Sequence, residues 1–425
     1  MRRRINILIA AIFVLVPLKG QNLRMLQSSF LEAEYFFFNE DYADALPLYM
    51  DLYEKDIDNA NIAFRIGCCY LNIEGQKNLS IEYLEKASSN MSAKHREGSI
   101  SQKSAPYEAL FELGRSYLIN NMFDKAIYAF NSYSGTLLPG DLENIAFVDQ
   151  QIKACENAKK LIETPISFSM KNLGELINDD KDNFNPIVSY DGETLAFMVS
   201  LKFYDAIMIS RLKNNKWGAP VNITPELEID GNVYISSLGE DGNVLYLSKN
   251  DDYDSDIYMS RFDGTKWLPA ERLNKNINTR YWESHGYVSS DGSMLVFASD
   301  RPGGYGGLDL YVSRKVNGEW GAASNLGPEI NTPFNEDRPF LLEDGKTLYF
   351  SSQGHEGMGG YDLFVSTLEP NGLWSTPVNL GYPLNDTDDN IFFMPTDKGK
   401  KGYISLQRDD AGFGGEDIYE ITIEN

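Results

Sequence analysis

Histidine and cysteine are scarce in this 425-residue chain, with three of each. His95, His285 and His355 stand far apart, and none falls in a His-x-x-x-His or related spacing, which argues against a zinc site. Cys68, Cys69 and Cys155 give no disulfide framework, because neighbours on a helix point about 100° apart. A Cys69–Cys155 bridge stays open in an oxidising compartment; buried free thiols are the expectation. Positive charge is also short. Thirty-eight Lys and Arg against 62 Asp and Glu give a net charge of −24, and no basic cluster offsets it. Nucleic acid and anionic membrane surfaces are therefore not expected as partners. There is no Gly-x-Ser-x-Gly elbow and no Gly-x-x-x-x-Gly-Lys loop. No cofactor and no catalytic residue is expected.

Long apolar runs are missing too, with one exception at the start. Arg2, Arg3 and Arg4 precede an uncharged run from Ile5 to Val16, broken by Pro17. About a dozen apolar residues fall short of the ~20 that span a bilayer. Residues 1–20 read as a signal peptide with cleavage at Gly20–Gln21. No cysteine follows the run, so a lipoprotein anchor is not expected, and no transmembrane segment remains after cleavage. The remainder is apolar enough to fold, at 42% hydrophobic and 12% aromatic overall, and its length suits two or three domains.

Residues 22–163 carry apolar positions at i, i+3, i+4 and i+7 with short polar breaks, the pattern of amphipathic helices. The fit is best at a period of about 34 residues. Its small and aromatic positions are Ala33, Phe36, Tyr42, Ala45 and Tyr49 in the first unit and Gly114, Tyr117, Phe123, Ala126 and Phe130 in the third. The middle unit keeps Gly67 and Tyr70, then Ser80, Leu84 and Ala87 with one extra residue near Gly75. Ser88 to Ser104 reads as a loop and Ile145 to Ile162 as a capping helix. This region resembles TPR domains, which implies a concave groove that binds peptides or proteins. The register carries Glu34, Phe37, Phe38, Cys68, Leu71, Arg115, Leu118 and Ile119 into that groove. Tyr35 to Phe38 sweep about 300° of a helix, so Phe36 is assigned to the core and Phe37 and Phe38 to the groove.

From Pro165 the pattern changes to period two. Asp-Gly pairs stand at 191–192, 241–242, 291–292 and 344–345, with a looser copy at Asp397-Lys398-Gly399. An aspartate opens a short apolar strand at 205, 256, 309, 362 and 417, and Trp217, Trp267, Trp320 and Trp374 follow. Spacings of 50 to 53 residues leave room for four short strands, the signature of propeller blades. In the third unit these read 287–289, 294–299, 308–314 and 320–326. The fifth copy lacks its Trp strand, and the missing piece lies in front. Met170 through Asn178 matches Ser324 through Asn331, so residues 166–173 are expected to complete the last blade. The fold class is therefore α+β and multidomain: an all-α TPR-like solenoid at 22–163 and an all-β five-bladed propeller at 165–425.

The propeller units resemble the WD-like repeats of TolB-type propellers, most sharply at Ser299 through Tyr311 and more weakly at Ser351 through Leu363. Joined after a signal peptide, the two halves resemble periplasmic proteins of Bacteroidetes that combine TPR units, this propeller and an OmpA-like domain, some of them in type IX secretion. That resemblance implies a periplasmic protein held at the outer membrane by partners, with envelope proteins or peptides as those partners. The chain ends with the propeller, so direct peptidoglycan binding is not expected.

Two constellations compete for function. The loop entering each blade carries Asn183, Val233, Glu283, Glu336 and Asp389 by repeat register, and paired carboxylates around a channel are what a five-bladed glycosidase uses. A glycosidase-like enzyme and a solute-binding propeller are thus the alternatives to a scaffold. The acidic run Asp251 to Asp256 lacks the glycine and terminal glutamate of an EF-hand and reads as a solvated loop. The loop Asn278 to His285 departs most from its sisters. Trp282 lies outside the tryptophan register and sits with Arg280, Tyr281 and His285, the composition of an interface hot spot. N-terminal sequencing of the purified protein is expected to begin at Gln21; an intact Met1 would instead make residues 5–16 a retained anchor.

Overall fold

The computed structural model describes residues 25–239, 241–251, 254–407 and 412–424; residues 1–20, expected to be a signal peptide, lie outside them. The chain divides into two compact units between Cys155 and Glu156.

The first unit is helical: α1 over residues 25–38, α2 (Tyr42–Tyr53), α3 (Ala60–Leu71), α4 (Ser80–Ser88), α5 (Glu108–Ile119), α6 (Phe123–Ser134) and the start of α7 (Leu142–Glu163), which runs across the boundary. Asn59 starts α3 by accepting the N–H groups of Asn61 and Ile62 at 3.1 and 3.2 Å, two donors that the helix itself leaves unpaired. The helices pack closely where the sequence places small residues. A Cβ on Gly67 would lie 2.5 Å from Leu84 of α4, and one on Gly114 would lie 2.5 Å from the Phe130 ring of α6. Ala33, Ala45 and Ala126 are fully buried at the related positions. Val148 and Cys155 of α7 join the apolar cluster of α3 to α6. All three cysteines are buried and none is in a disulfide, and burial pushes the Cys68 and Cys69 thiols up, the latter to about 12.

The second unit is a five-bladed propeller of antiparallel sheets. The innermost strands of blades one to four are Asn183–Val188, Asn232–Gly239, Glu283–Val288 and Glu336–Leu341; Met394–Thr396 serves blade five. The Asp-Gly turns between first and second strands place Gly192, Gly242, Gly292 and Gly345 at φ between 63° and 78°, where only glycine is unstrained. Blade five takes its outer strand from Ser167–Asn172, which pairs with Glu416–Glu424 from Ser167↔Glu424 to Asn172↔Tyr419.

One sequence expectation needs correction. The fourth strand of blade three does not run from Trp320 to Leu326. Glu319–Trp320 closes a hairpin on the end of the third strand, and only Ser324–Asn325 forms the outer strand. Gly321 lies between them, its N–H donating to Arg314 O at 2.9 Å, so the chain turns where a continuous strand was expected.

What replaces the short outer strand is a side-chain amide. Asn331 accepts the Leu310 N–H at 2.7 Å and donates to the Leu310 carbonyl at 3.0 Å, completing the ladder as a neighbouring strand would. Asn278, Asn385 and Asn178 do the same for Ile257, Leu363 and Ile418. Thr224 supplies only the acceptor, to Ile207. In the helical unit, Gly114→Ala should destabilise by about 1–3 kcal/mol through overpacking against Phe130, although alanine is the better helix former; urea unfolding of that unit measures it, and a stabilised variant would show that the helices part freely.

Candidate partner-binding faces

In the helical unit a cavity brings together Phe37, Cys68 and Arg115 of the expected groove lining. This cavity of about 490 Å³ is lined by Phe37, Tyr42, Phe64, Arg65, Cys68, His95, Glu112 and Arg115 among others. Leu71 and Leu118 are each only 2% exposed and belong to the core, so their assignment to the groove is corrected. One position of error on a helix turns a side chain by 100°. Glu34 is also withdrawn. It is buried, accepts from the Tyr49 hydroxyl at 2.5 Å and holds Arg65 with two bonds at 2.9 and 3.0 Å. Phe37 is partly buried, with the Arg65 guanidinium 4.5 Å from its ring centre. Phe38 is 57% exposed. Arg115 pairs with Glu112 at 3.0 Å, and Ile119 packs at the edge of the core. Ser88 to Ser104, expected as a plain loop, forms part of the groove wall: Lys103 accepts the Asn61 N–H, His95 bonds Asn61 at 2.7 Å, and Glu97 reaches Arg65 at 3.4 Å.

In the propeller, the residues at the entrance to each innermost strand are consumed by the fold. Glu283 is fully buried. It accepts from the Thr279 N–H and hydroxyl at 2.7 Å, from Ser299 at 2.9 Å and from Arg301 at 3.1 Å. Glu336 repeats the arrangement with Thr332 and Ser352, three bonds of 2.7 Å. Burial raises the Glu336 carboxyl to about 7 against the pull of those bonds. The fifth member of the set is Asn390 rather than Asp389, since Asn390 accepts the Asp386 N–H as Glu336 accepts that of Thr332.

Asp389 belongs to a second set, one residue earlier. Asn335, Asp389 and Asp182 accept the N–H of Leu308, Tyr361 and Glu416 at 2.8, 2.8 and 3.0 Å, tying each blade to the one before. The glycine pairs of the repeat serve this contact. A Cβ on Gly306, Gly359 or Gly414 would strike a backbone carbonyl of the next entry loop. The repeated Asp309, Asp362 and Asp417 are buried beneath and accept N–H groups of the same glycine loops. Blade two has no glycine loop, and Trp282 occupies the position of Asn335. Its side chain takes no part in such a tie and is partly exposed; here the blades are joined through the backbone, by a bridge between Ser255 and Trp282, and the Trp282 N–H donates to Asp300 at 2.8 Å. Arg280 is exposed and bonds the Tyr281 hydroxyl at 2.7 Å. His285 is less free: its Nδ1 lies 2.8 Å from Asp337 of the next blade. His355 is tucked between Phe350 and Phe364 and bonds the Ile330 carbonyl.

Loops joining second to third strands open on the same face as Trp282. They carry aromatic side chains that the sequence reading passed over: Phe203 at 86% exposure, Tyr305 at 50% and Phe413 at 47%. The signal was available: Tyr305 and Phe413 share one repeat position, four residues before the repeated aspartate, and Phe203 lies two residues before Asp205. At the opposite end Tyr190 reaches toward blades three and four, beside a cavity of about 870 Å³ lined by Tyr190, Tyr287, Leu341, Met394 and Tyr403 among others. The Tyr190 hydroxyl lies 2.7 Å from the Leu341 carbonyl oxygen and 3.0 Å from that of Val288. The rings of Tyr190, Tyr287, Phe340 and Phe392 follow one another at 6.1, 5.3 and 5.4 Å. Among the described residues, no group of three or more His, Cys, Asp or Glu is placed to hold a metal ion, and no helix is long and apolar enough to cross a membrane. Asp252 and Tyr253 of the acidic run lie outside the described residues.

No family model matches the chain and no curated protein matches it. Solved structures that resemble it include TolB from Acinetobacter baumannii, at 15% identity over 58% of this chain and 55% of that one, with a TM-score of 0.39. The chain therefore spans about half the length of that protein. Putative TolB from Agrobacterium tumefaciens is 18% identical over 58% and 78%, with a TM-score of 0.37. The catalytic domain of the Coprinopsis cinerea GH62 α-L-arabinofuranosidase is 11% identical over 61% and 98%, with a TM-score of 0.40. Values this low carry no statement about activity or ligand.

Because the folded-state pKa of Glu336 lies above its ordinary 4.5, the stability it contributes is complete below about pH 4.5 and is lost as pH rises through about 7. Glu336→Gln cannot ionise, and the Thr332 and Ser352 hydroxyls can turn to meet an amide. The variant should gain stability relative to the parent between pH 5 and pH 8, by at most about 3 kcal/mol. Parallel pH dependence of the two unfolding curves would show that Glu336 does not titrate there.

Proposed function

We propose that this protein is a non-catalytic scaffold of a bacterial cell envelope, a periplasmic protein that binds envelope proteins or peptides through the strand-entry face of its propeller and through its helical groove. The observation that carries this reading is the set of exposed aromatics, Phe203, Tyr305 and Phe413, on the face that also bears Arg280, Tyr281 and Trp282. Large apolar rings held in water by short loops cost free energy unless a partner covers them, and aromatic residues with arginine dominate the binding energy of interfaces. The resemblance of the repeats to TPR and TolB-type units in Bacteroidetes proteins supports placing it as an accessory of an outer-membrane secretion or assembly machine. The two buried carboxylates that a glycosidase reading would recruit, Glu283 and Glu336, are already occupied by hydroxyl, backbone or guanidinium donors.

Crosslinking and affinity capture from the native envelope, with wild type and Trp282→Ala in parallel, test this. Loss of Trp282 should weaken capture of the partner by roughly 2 kcal/mol or more while the propeller's Tm barely moves. If stability falls and capture per folded molecule is unchanged, Trp282 is packing. Turnover of a glycan that Glu283→Gln abolishes would replace the scaffold by an enzyme.

A further inference from the structure

The innermost strands of blades one, three and four each carry a bulge at the same point, between Phe184 and Ile187, Ser284 and Tyr287, and Asp337 and Phe340. At each bulge a non-glycine residue takes a left-handed conformation: Asn185 at φ 52°, His285 at 48° and Arg338 at 45°. Such strain persists where surrounding structure enforces it, often at ligand sites. His285 is satisfied by Asp337. The other two are not. The Arg338 guanidinium makes no hydrogen bond or ion pair among the described residues; its nearest aromatic face is Phe392, 5.8 Å from the ring centre. Burial pulls it below the ordinary arginine range, while Asp337, Tyr234 and Tyr361 act against that pull. Asn185 is 6% exposed, and its Nδ2 donates to the Ile235 carbonyl at 2.8 Å, which fixes the amide's orientation and leaves Oδ1 buried without a partner. An unpaired buried acceptor and an unpaired cation each cost free energy that a bound group would recover.

Both residues line one cavity of about 580 Å³, within the roughly 300–1,000 Å³ typical of small-molecule sites. Its wall has two characters. Phe184, Leu384, Ile391, Phe392 and Ile404 are apolar; Asp386, Asp389 and Glu416 are acidic, and Arg338 is the single cation. A simple anion would meet Arg338 but also three carboxylates. A simple cation would leave Arg338 unpaired. We propose that this cavity binds a free α-amino acid with an apolar side chain, its carboxylate on Arg338, its ammonium toward the acidic wall and Asn185, and its side chain against Phe392. This site is independent of the aromatic partner face and needs no partner protein.

Calorimetry of the full chain with phenylalanine, hydrocinnamate and phenethylamine tests it. Phenylalanine should bind at least tenfold more tightly than hydrocinnamate, which lacks the ammonium, and than phenethylamine, which lacks the carboxylate. Arg338→Gln should weaken phenylalanine at least tenfold and bring it level with phenethylamine; Phe392→Ala should weaken it while leaving dependence on the carboxylate intact. A melting curve of each variant establishes that it is folded. Hydrocinnamate binding as tightly as phenylalanine, or phenylalanine binding that folded Arg338→Gln leaves unchanged, would overturn the assignment, as would no detectable binding of phenylalanine to the wild type.

Discussion

The antiparallel pairing of Ser167–Asn172 with Glu416–Glu424 is the contact on which the propeller's other features depend. An open sheet of this kind would present two rows of unpaired backbone groups. Once the pairing is made, every blade has a neighbour on both sides, and the links between blades can be alike. The last of those links, from Asp182 to the Glu416 N–H at 3.0 Å, crosses the seam itself. Asn178 then clamps Ile418 across it with two further bonds. The face carrying Trp282, Phe203 and Tyr305 is common to several blades because the ring holds them in one frame.

The repeat hands most polar residues to the fold and leaves a few over. Asp309, Asp362 and Asp417 hold glycine loops; Glu283 and Glu336 hold entry loops; Asn278, Asn331 and Asn385 stand in for strands. Residues that depart from the repeat are therefore the informative ones. Trp282 stands where the side chains of its sisters tie one blade to the next, and there blade two is joined through the backbone instead, by the bridge of Ser255 to Trp282. Arg338 and Asn185 stand at bulges, with a cation and an amide oxygen that no neighbour satisfies.

Much of this was legible in the sequence because chemistry forces it into visible residue types. The Asp-Gly spacing reports tight turns that need positive φ, and the match of Met170 through Asn178 to Ser324 through Asn331 reports where an outer strand is supplied. Other parts were hidden for physical reasons. A strand read at period two has no place for a bulge, so the left-handed turn at Arg338 left no mark. Asp389 was aligned one residue out because Asn390 stands where blades three and four have glutamate and an acidic residue precedes it. In the helices Leu71 and Leu118 look like any groove leucine, and only the pairing of α3 with α4 and of α5 with α6 turns them inward. Glu34 looks like a surface carboxylate until Arg65, 31 residues later, closes on it.

The direction of the closing strands also sets how the ring answers to load. Residue 167 lies beside residue 424 and residue 172 beside 419, so tension applied between Ile166 and Glu424 acts at one end of the pair. It separates the strands rung by rung, as a zipper opens, and never loads the six pairs together. Tension between Asn172 and Glu424 would instead slide the strands past each other and strain the rungs in parallel. The propeller is thus mechanically soft along one line through its seam and stiff along another.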